Sequence, residues 1–429
     1  MSLVNPFVAD IREWKQIAEK SGVLRRAPAA QPAAAQQATG TSLAIEPFKI
    51  SVKGDVLADL RQRLSRVRLA GDLGNAGWDY GTESGYLAEL VRYWEKDFDW
   101  SVHEARMNAF KHFRTTIDGV PIHFIHERGQ GPNPMPLLLN HGWPWTFWDM
   151  RKIIRPLTHP AEFGGDPNDS FDVVVPSLPG FGFSTPLPKT GMSVWKTTDL
   201  WARLMEGLGY PRFATQGGDF GAFISAHLGH KYADRVIGSH LTLMVPLDFL
   251  TNGLPPPTAY GEDEQESLAR TLRFFTEGSA YVNIQSTRPQ TLAYAMNDSP
   301  AGMCAWFLEK RRAWSDCGGN VEKVFSKDDL LTAMTLYWVT ESFGSAARYY
   351  YESVHHPWAP SHARTPVVEA PTAVAVFPKE VFQMPRKWAE GYYNLKRWTT
   401  FPAGGHFAPM EQPEHLVDDI RAFFRTLRG

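Results

Sequence analysis

Apolar positions along the chain follow two rhythms, and past residue 44 the two alternate. One is helical: Leu57, Leu60, Leu64 and Val67 recur at helix spacing over 56–67, and Leu87, Leu90, Val91 and Trp94 do so over 85–94. A further helix is expected to run through Phe110. The other rhythm is the short apolar run of a strand, over 47–52, 136–140, 171–175, 213–217, 236–244, 372–377 and 399–401. Between 114–117 and 122–126 the pair Asp118-Gly119 signals a hairpin. His123 and His126 are read as exposed residues of its second strand. Apolar strands interleaved with helices predict a mainly parallel sheet covered on both faces. The span from Met244 to Thr372 is too long for one crossover. It carries helical periods over 268–275, 301–313, 330–342 and 338–352, and is read as an inserted helical cap. Ahead of all this, Phe7, Ile11, Trp14 and Ile17 suggest a short helix over 5–20, and 27–40 is an Ala/Pro/Gln-rich linker. The expected organisation is therefore 1–43 as helix and linker, 44–112 as a meander, 113–245 as the first part of an α/β core, 246–368 as the cap and 369–429 as the second part of the core.

Composition removes several functions. The chain has 429 residues and a net charge of -2, which leaves no electrostatic footprint for nucleic acid or an anionic membrane. Its two cysteines form no disulfide framework and no metal spacing, which fits a reducing compartment, so a cytoplasmic location is expected. No apolar run approaches a membrane span. The 15 Trp, 14 Tyr and 26 Phe can fill a core or line a pocket for apolar ligands.

The chemistry concentrates at the ends of strands. Phe213-Ala214-Thr215-Gln216-Gly217-Gly218-Asp219-Phe220-Gly221 reads as a strand, a tight turn and a helix start, with Asp219 at the apex. This is the pattern of a nucleophile elbow with a carboxylate in place of serine. Taken alone, Asp219 is equally readable as a helix N-cap. His141-Gly142-Trp143-Pro144 follows an earlier strand and aims the Trp143 N–H to pair with that of Phe220 as an oxyanion hole. Gly404-Gly405-His406-Phe407 follows the last strand, where a general base is expected. Phe377-Pro378-Lys379-Glu380 supplies Glu380 after the strand before it, with Asp298 as a rival orienting acid. The order nucleophile, acid, histidine is that of the α/β-hydrolase fold. An aspartate nucleophile attacks an electrophilic carbon and forms an ester that water hydrolyses. Since carboxylate is too good a leaving group for acyl transfer, epoxides and alkyl halides remain. An epoxide oxygen needs a proton donor, and the cap offers Tyr281, Tyr294, Tyr337, Tyr349, Tyr350 and Tyr351.

These motifs, together with Glu46-Pro47-Phe48 and Asn297-Asp298-Ser299-Pro300-Ala301-Gly302, resemble those of the microsomal-type epoxide hydrolases. The resemblance runs from about 44 to 427 and includes that family's N-terminal meander. It implies an α/β-hydrolase fold with Asp219 as nucleophile, His406 as general base and Glu380 as its orienting acid. It implies two cap tyrosines as donors to the epoxide oxygen. One maps to Tyr281. The other falls in the run 349–351, where spacing favours Tyr350 and leaves Tyr349 and Tyr351 open. Trp143, Phe181 and Phe220 are the expected pocket residues. Trp145, Phe147, Trp148 and Phe183 add to an aromatic setting that points to apolar epoxides, aromatic ones included. The partners expected are the epoxide and water, with no metal and no organic cofactor, and a homodimer is left open. Unlike membrane-bound members, the chain shows no N-terminal anchor, so a soluble enzyme is expected. The rival readings are a haloalkane dehalogenase with the same Asp219 and a non-catalytic ligand receptor on the same fold.

Overall fold

The computed structural model of the chain describes residues 43–249 and 253–428. The helix expected over 5–20 and the linker over 27–40 lie outside the described residues. Strand β1 (Glu46–Phe48) is followed by helices α1 (Gly54–Ser65), α2 (Ser84–Lys96) and α3 (Trp100–Met107). Helix α2 shows why these segments form. The Glu83 carboxylate accepts the N–H groups of Gly85 and Tyr86 at the first turn, and Leu87, Leu90, Val91 and Trp94 place the buried residues on one stripe. The expected hairpin is β2 (His112–Ile117) and β3 (Val120–Glu127). Its turn residues Asp118 and Gly119 both take positive φ, 53° and 77°, as a two-residue turn between right-twisted strands requires.

Strands and helices then alternate through β4 (Met135–Asn140), α4 (Arg151–Thr158), β5 (Phe171–Pro176), α5 (Val194–Gly207), β6 (Phe213–Gly217), α6 (Phe220–Lys231) and β7 (Val236–Leu241). Helices interrupt the sheet: α7 (Gln265–Arg273), α8 (Ala280–Thr287), α9 (Pro289–Asp298), α10 (Pro300–Trp314), α11 (Lys327–Val339) and α12 (Phe343–His355). The chain returns with β8 (Val368–Val376), α13 (Arg386–Tyr392) and β9 (Tyr393–Thr400), and closes with α14 (Ala408–Glu411) and α15 (Pro413–Arg425). The described strands form one sheet in the order β1-β2-β3-β5-β4-β6-β7-β8-β9. Pairing is antiparallel from β1 to β5 and parallel from β5 to β9. Every residue of β5 and β6 is buried, and α6 is buried from Phe220 to His230, as expected of a sheet covered on both faces. This is the α/β-hydrolase fold, with the helices α7 to α12 inserted between β7 and β8.

Two expectations are corrected. The helix expected over 338–352 is two helices. Glu341 takes φ 49°, its N–H bonds to the Trp338 carbonyl, and the Ser342 N–H reaches back to the Tyr337 carbonyl. That pair of bonds is a Schellman stop, made here by a residue other than glycine. The second correction is that His123 and His126 are buried. Strand β3 is interior, paired to β2 on one side and β5 on the other, and the rings of Phe48, Phe147 and Phe183 pack against His123. His123 Nε2 lies 2.8 Å from Nδ1 of His112, and its Nδ1 lies 2.9 Å from the Ser177 hydroxyl. His126 Nε2 lies 3.0 Å from the Tyr210 hydroxyl.

Burial pushes His112, His123 and His126 down, His126 to about 4. Their folded values lie below that of an unfolded histidine, so the stability they carry is full above pH ~6.5 and is lost as pH falls below it. The melting temperature should therefore drop below about pH 6.5, each such group costing up to about 1.4 kcal/mol per pH unit. His123→Gln should flatten that dependence in a series of thermal melts, and an unchanged slope would remove this group from the cause.

Candidate active site

Strands β4 and β6 are parallel neighbours, with Asn140 opposite Gly217. Their C-terminal loops therefore leave the sheet side by side. At the end of β6 the chain turns through Asp219, at φ 51° and ψ -130°, into α6. A non-glycine residue there costs on the order of 1–3 kcal/mol. The surroundings enforce it by close approach. A Cβ on Gly221 would lie 2.1 Å from the Asn140 carbonyl oxygen, and one on Gly142 would lie 2.1 Å from Asp219 Oδ1. The turn drives the Asp219 carboxylate toward the β4 loop. Its Oδ1 accepts the Trp143 N–H at 2.8 Å and the Phe220 N–H at 2.7 Å. Both expected oxyanion donors thus converge on one carboxylate oxygen. His141, in the same loop, is held by the Leu178 N–H at 3.1 Å on Nε2, and burial pushes it down to about 4, so it is a neutral structural residue.

Glu380 and His406 follow β8 and β9, whose loops are tied by the Lys379 N–H on the Gly404 carbonyl at 2.9 Å. His406 Nδ1 lies 2.6 Å from Glu380 Oε1, which also accepts the Val381 N–H at 2.8 Å. His406 Nε2 lies 3.3 Å from Asp219 Oδ2. The two oxygens of Asp219 therefore face different groups, N–H donors on Oδ1 and the imidazole on Oδ2. Burial pushes His406 down, but the Glu380 and Asp219 carboxylates outweigh it and raise the imidazole to about 10. Its backbone N–H donates to the Trp314 carbonyl at 2.9 Å, and Trp145, Trp314 and Phe407 meet its ring at their edges. Glu411 closes the loop from behind, accepting the N–H groups of Phe407 at 2.8 Å and Asp316 at 2.7 Å.

Above Asp219 stand two tyrosines of the inserted helices. Tyr281, on α8, stacks on Trp143 at 5.0 Å between centroids and 12° between planes. Tyr350, on α12, meets Trp143, Phe220 and Tyr281 edge-on. Burial raises both hydroxyls well above the usual tyrosine range, and the Asp219 charge adds to the effect. The neighbours of Tyr350 point elsewhere. The Tyr349 hydroxyl lies 2.6 Å from that of Thr197, and Tyr351 stacks on His355. Tyr337 donates to the Trp145 carbonyl, and Tyr294 is 71% exposed. The rival acid Asp298 is exposed and pairs with Arg63 of α1 at 2.7 Å.

Some expected pocket residues lie apart from the site. Phe181 is buried against His141, Tyr337 and Tyr349, one layer behind Tyr350. Phe147 and Phe183 belong to the aromatic cluster over His123, and Trp148 packs on Phe110. Their role is to seat the N-terminal meander on the sheet. Several residues of α10 went unnoticed in the sequence. Trp314 touches Tyr281, Trp143 and His406; Phe307 meets Trp143 edge-on; and Arg311 bonds to the Pro144 carbonyl at 2.9 Å and to Asp149 at 2.6 Å, with both members of that ion pair buried. A helical spacing of three and four residues through 307, 311 and 314 was the available signal.

Among the described residues, no group of His, Cys, Asp and Glu is arranged to hold a metal, and no helix is long and apolar enough to cross a membrane. Residues 45–150 match the model for the epoxide hydrolase N terminus, and residues 135–298 match that for the alpha/beta hydrolase fold. The chain is 36% identical over 421 residues to epoxide hydrolase 1 of Sus scrofa, covering 93% of this chain and 92% of that one. It is 34% identical over 408 residues to juvenile hormone epoxide hydrolase 2 of Ctenocephalides felis, covering 89% and 86%. The solved structure of Aspergillus niger epoxide hydrolase superimposes with a TM-score of 0.79 at 30% identity, covering 90% of this chain and 97% of that one.

Because the folded value of His406 is raised above that of an unfolded histidine, its pairing stabilises the fold fully below pH ~6.5 and ceases to do so as pH rises through about 10. Asp219→Asn removes one of the two anions that hold it there. The His406 imidazolium should then titrate about 1–3 pH units lower in a nitrogen-15 NMR titration. An unmoved titration would mean the two groups do not interact.

Proposed function

The chain belongs to the epoxide hydrolase family, and from that premise we propose that it opens an apolar epoxide to a vicinal diol through an ester on Asp219. What supports this route is the division of the Asp219 carboxylate. Oδ1 is already held by two N–H donors, while Oδ2 lies outside them, facing His406. In the first step Oδ2 attacks a ring carbon, the carbon–oxygen bond breaks, and the epoxide oxygen takes a proton from Tyr281 or Tyr350, leaving a tyrosinate. The ester that results has Oδ1 as its carbonyl oxygen.

In the second step His406 takes a proton from water and the hydroxide attacks Cγ of Asp219. The negative charge then develops on Oδ1, where the Trp143 and Phe220 N–H groups already point. Collapse expels the diol with Oδ2, His406 returns its proton to the leaving alkoxide, and the proton on the new carboxyl restores the tyrosine. Esterification also explains how a histidine raised to about 10 can act as a base. The ester carries no charge, so the pull of Asp219 on the imidazolium ends, the imidazole falls back toward its ordinary range and releases its proton to solvent before the second step, to be taken up again once the Asp219 carboxylate is restored. The raised tyrosines stay protonated at neutral pH, as a donor must. A halide leaving group would need no proton, so two buried phenols beside Asp219 favour the epoxide. Trp143, Phe220, Phe307 and Trp314 give the site aromatic walls, which suit apolar and aryl epoxides.

Single-turnover hydrolysis in heavy-oxygen water tests the ester. The label should enter Asp219 and be absent from the first diol; label in that diol would overturn the route. Tyr281→Phe combined with Tyr350→Phe should slow formation of the ester on the order of 10²–10⁴-fold, the usual worth of a general acid. Unchanged turnover of an epoxide would remove both from the proton transfer.

A further inference from the structure

A buried lysine stands against one of these tyrosines. Lys310, on α10, is 7% exposed, and a charged ammonium is seldom buried without a compensating partner. Its Nζ lies 5.2 Å from the Tyr281 ring centroid and 5.4 Å from that of Trp306, with Glu309 of its own helix beside it. The arrangement is built from both sides. Trp306 and Lys310 are one helical turn apart on α10, and Tyr281 and Gln285 are one turn apart on α8. The Trp306 indole N–H donates to Gln285 Oε1 at 3.3 Å, and Gln285 is wholly buried. The two pairs make a two-rung ladder that presses the ammonium toward the tyrosine ring.

We propose that Lys310 is a positioning residue for the first chemical step, its ammonium stabilising the charge that grows on Tyr281 as the phenol gives its proton to the epoxide oxygen. The inference rests on the reading of Tyr281 as a donor. A cation near an aromatic ring attracts the neutral phenol weakly and the phenolate strongly, so its effect is larger in the transition state than before it. Such a group is needed here. Asp219 and burial both oppose ionisation of Tyr281. As Asp219 attacks, its own charge is consumed, while Lys310 keeps its ammonium 5.2 Å from the ring centroid, in a setting that also contains Glu309, Glu380 and Tyr350.

Burial pulls the Lys310 ammonium down to about 8, so it is charged at neutral pH and discharges within the range where activity can be followed. The test uses single-turnover ester formation from styrene oxide, with ester hydrolysis followed separately. Lys310→Met should slow ester formation on the order of 10- to 30-fold, the range of a desolvated cation–π contact, and leave ester hydrolysis unchanged. Ester formation in the native enzyme should fall off above about pH 8, and Lys310→Arg, whose guanidinium stays charged, should keep the rate and move that limb upward. In a Tyr281→Phe background, Lys310→Met should add no further loss. Equal slowing of both steps, an unchanged rate of ester formation, or the same loss without the Tyr281 hydroxyl would overturn the proposal. If Lys310→Met does not fold, an unmoved limb in Lys310→Arg overturns it. Tyr281→Phe serves as the control: slow ester formation there leaves the donor reading standing if Lys310 fails, and a native rate there overturns both.

Discussion

A carboxylate presented in a left-handed turn and almost enclosed by protein must be held by something. Asp219 sits at φ 51° with its side chain 13% exposed, and neither its backbone nor its charge is stable without help. The help comes from adjacent strands. Strand β4 lies beside β6 and delivers the Trp143 N–H; β8 and β9 deliver Glu380 and His406; α6 begins at the turn and supplies the Phe220 N–H. The backbone donors on the core side, the Trp143 and Phe220 N–H groups, both point at Asp219, and the phenols nearest it, Tyr281 and Tyr350, come from the inserted helices.

Helix α10 is the member that joins the two halves. Its last residue, Trp314, accepts the backbone N–H of His406; Arg311 grips the loop that carries Trp143; and Lys310 lies against Tyr281. Removing one member of a buried pair such as Arg311–Asp149 leaves an uncompensated charge, at a cost of about 3–5 kcal/mol. Tyr281, the loop that carries Trp143, and His406 are therefore all referenced to one helix.

Much of this was legible in the amino-acid sequence because it depends on strand ends. Asp219, Glu380 and His406 each follow an apolar run, and glycines mark the tight turns beside them. Tyr281 stood in a recognisable segment. The choice within 349–351 was open because successive helical residues point about 100° apart. It depends on where α12 begins, and that depends on the stop at Glu341, a residue with no obvious turn propensity. His123 was misread because both faces of β3 are covered, that of His123 by Phe48, Phe147 and Phe183, and what packs over a face is a property of the whole fold. The contact from the Trp314 carbonyl to His406 runs through backbone, which leaves no residue signature.

On the ester route, the unequal hold on the Asp219 carboxylate gives its two oxygens different histories. The oxygen between Trp143 and Phe220 is bound in every intermediate, so it never leaves with product. The other departs in each diol and is replaced from solvent. The enzyme thus carries one permanent atom and one that it renews at every cycle, and a diol released now contains oxygen acquired from water during the turnover before it.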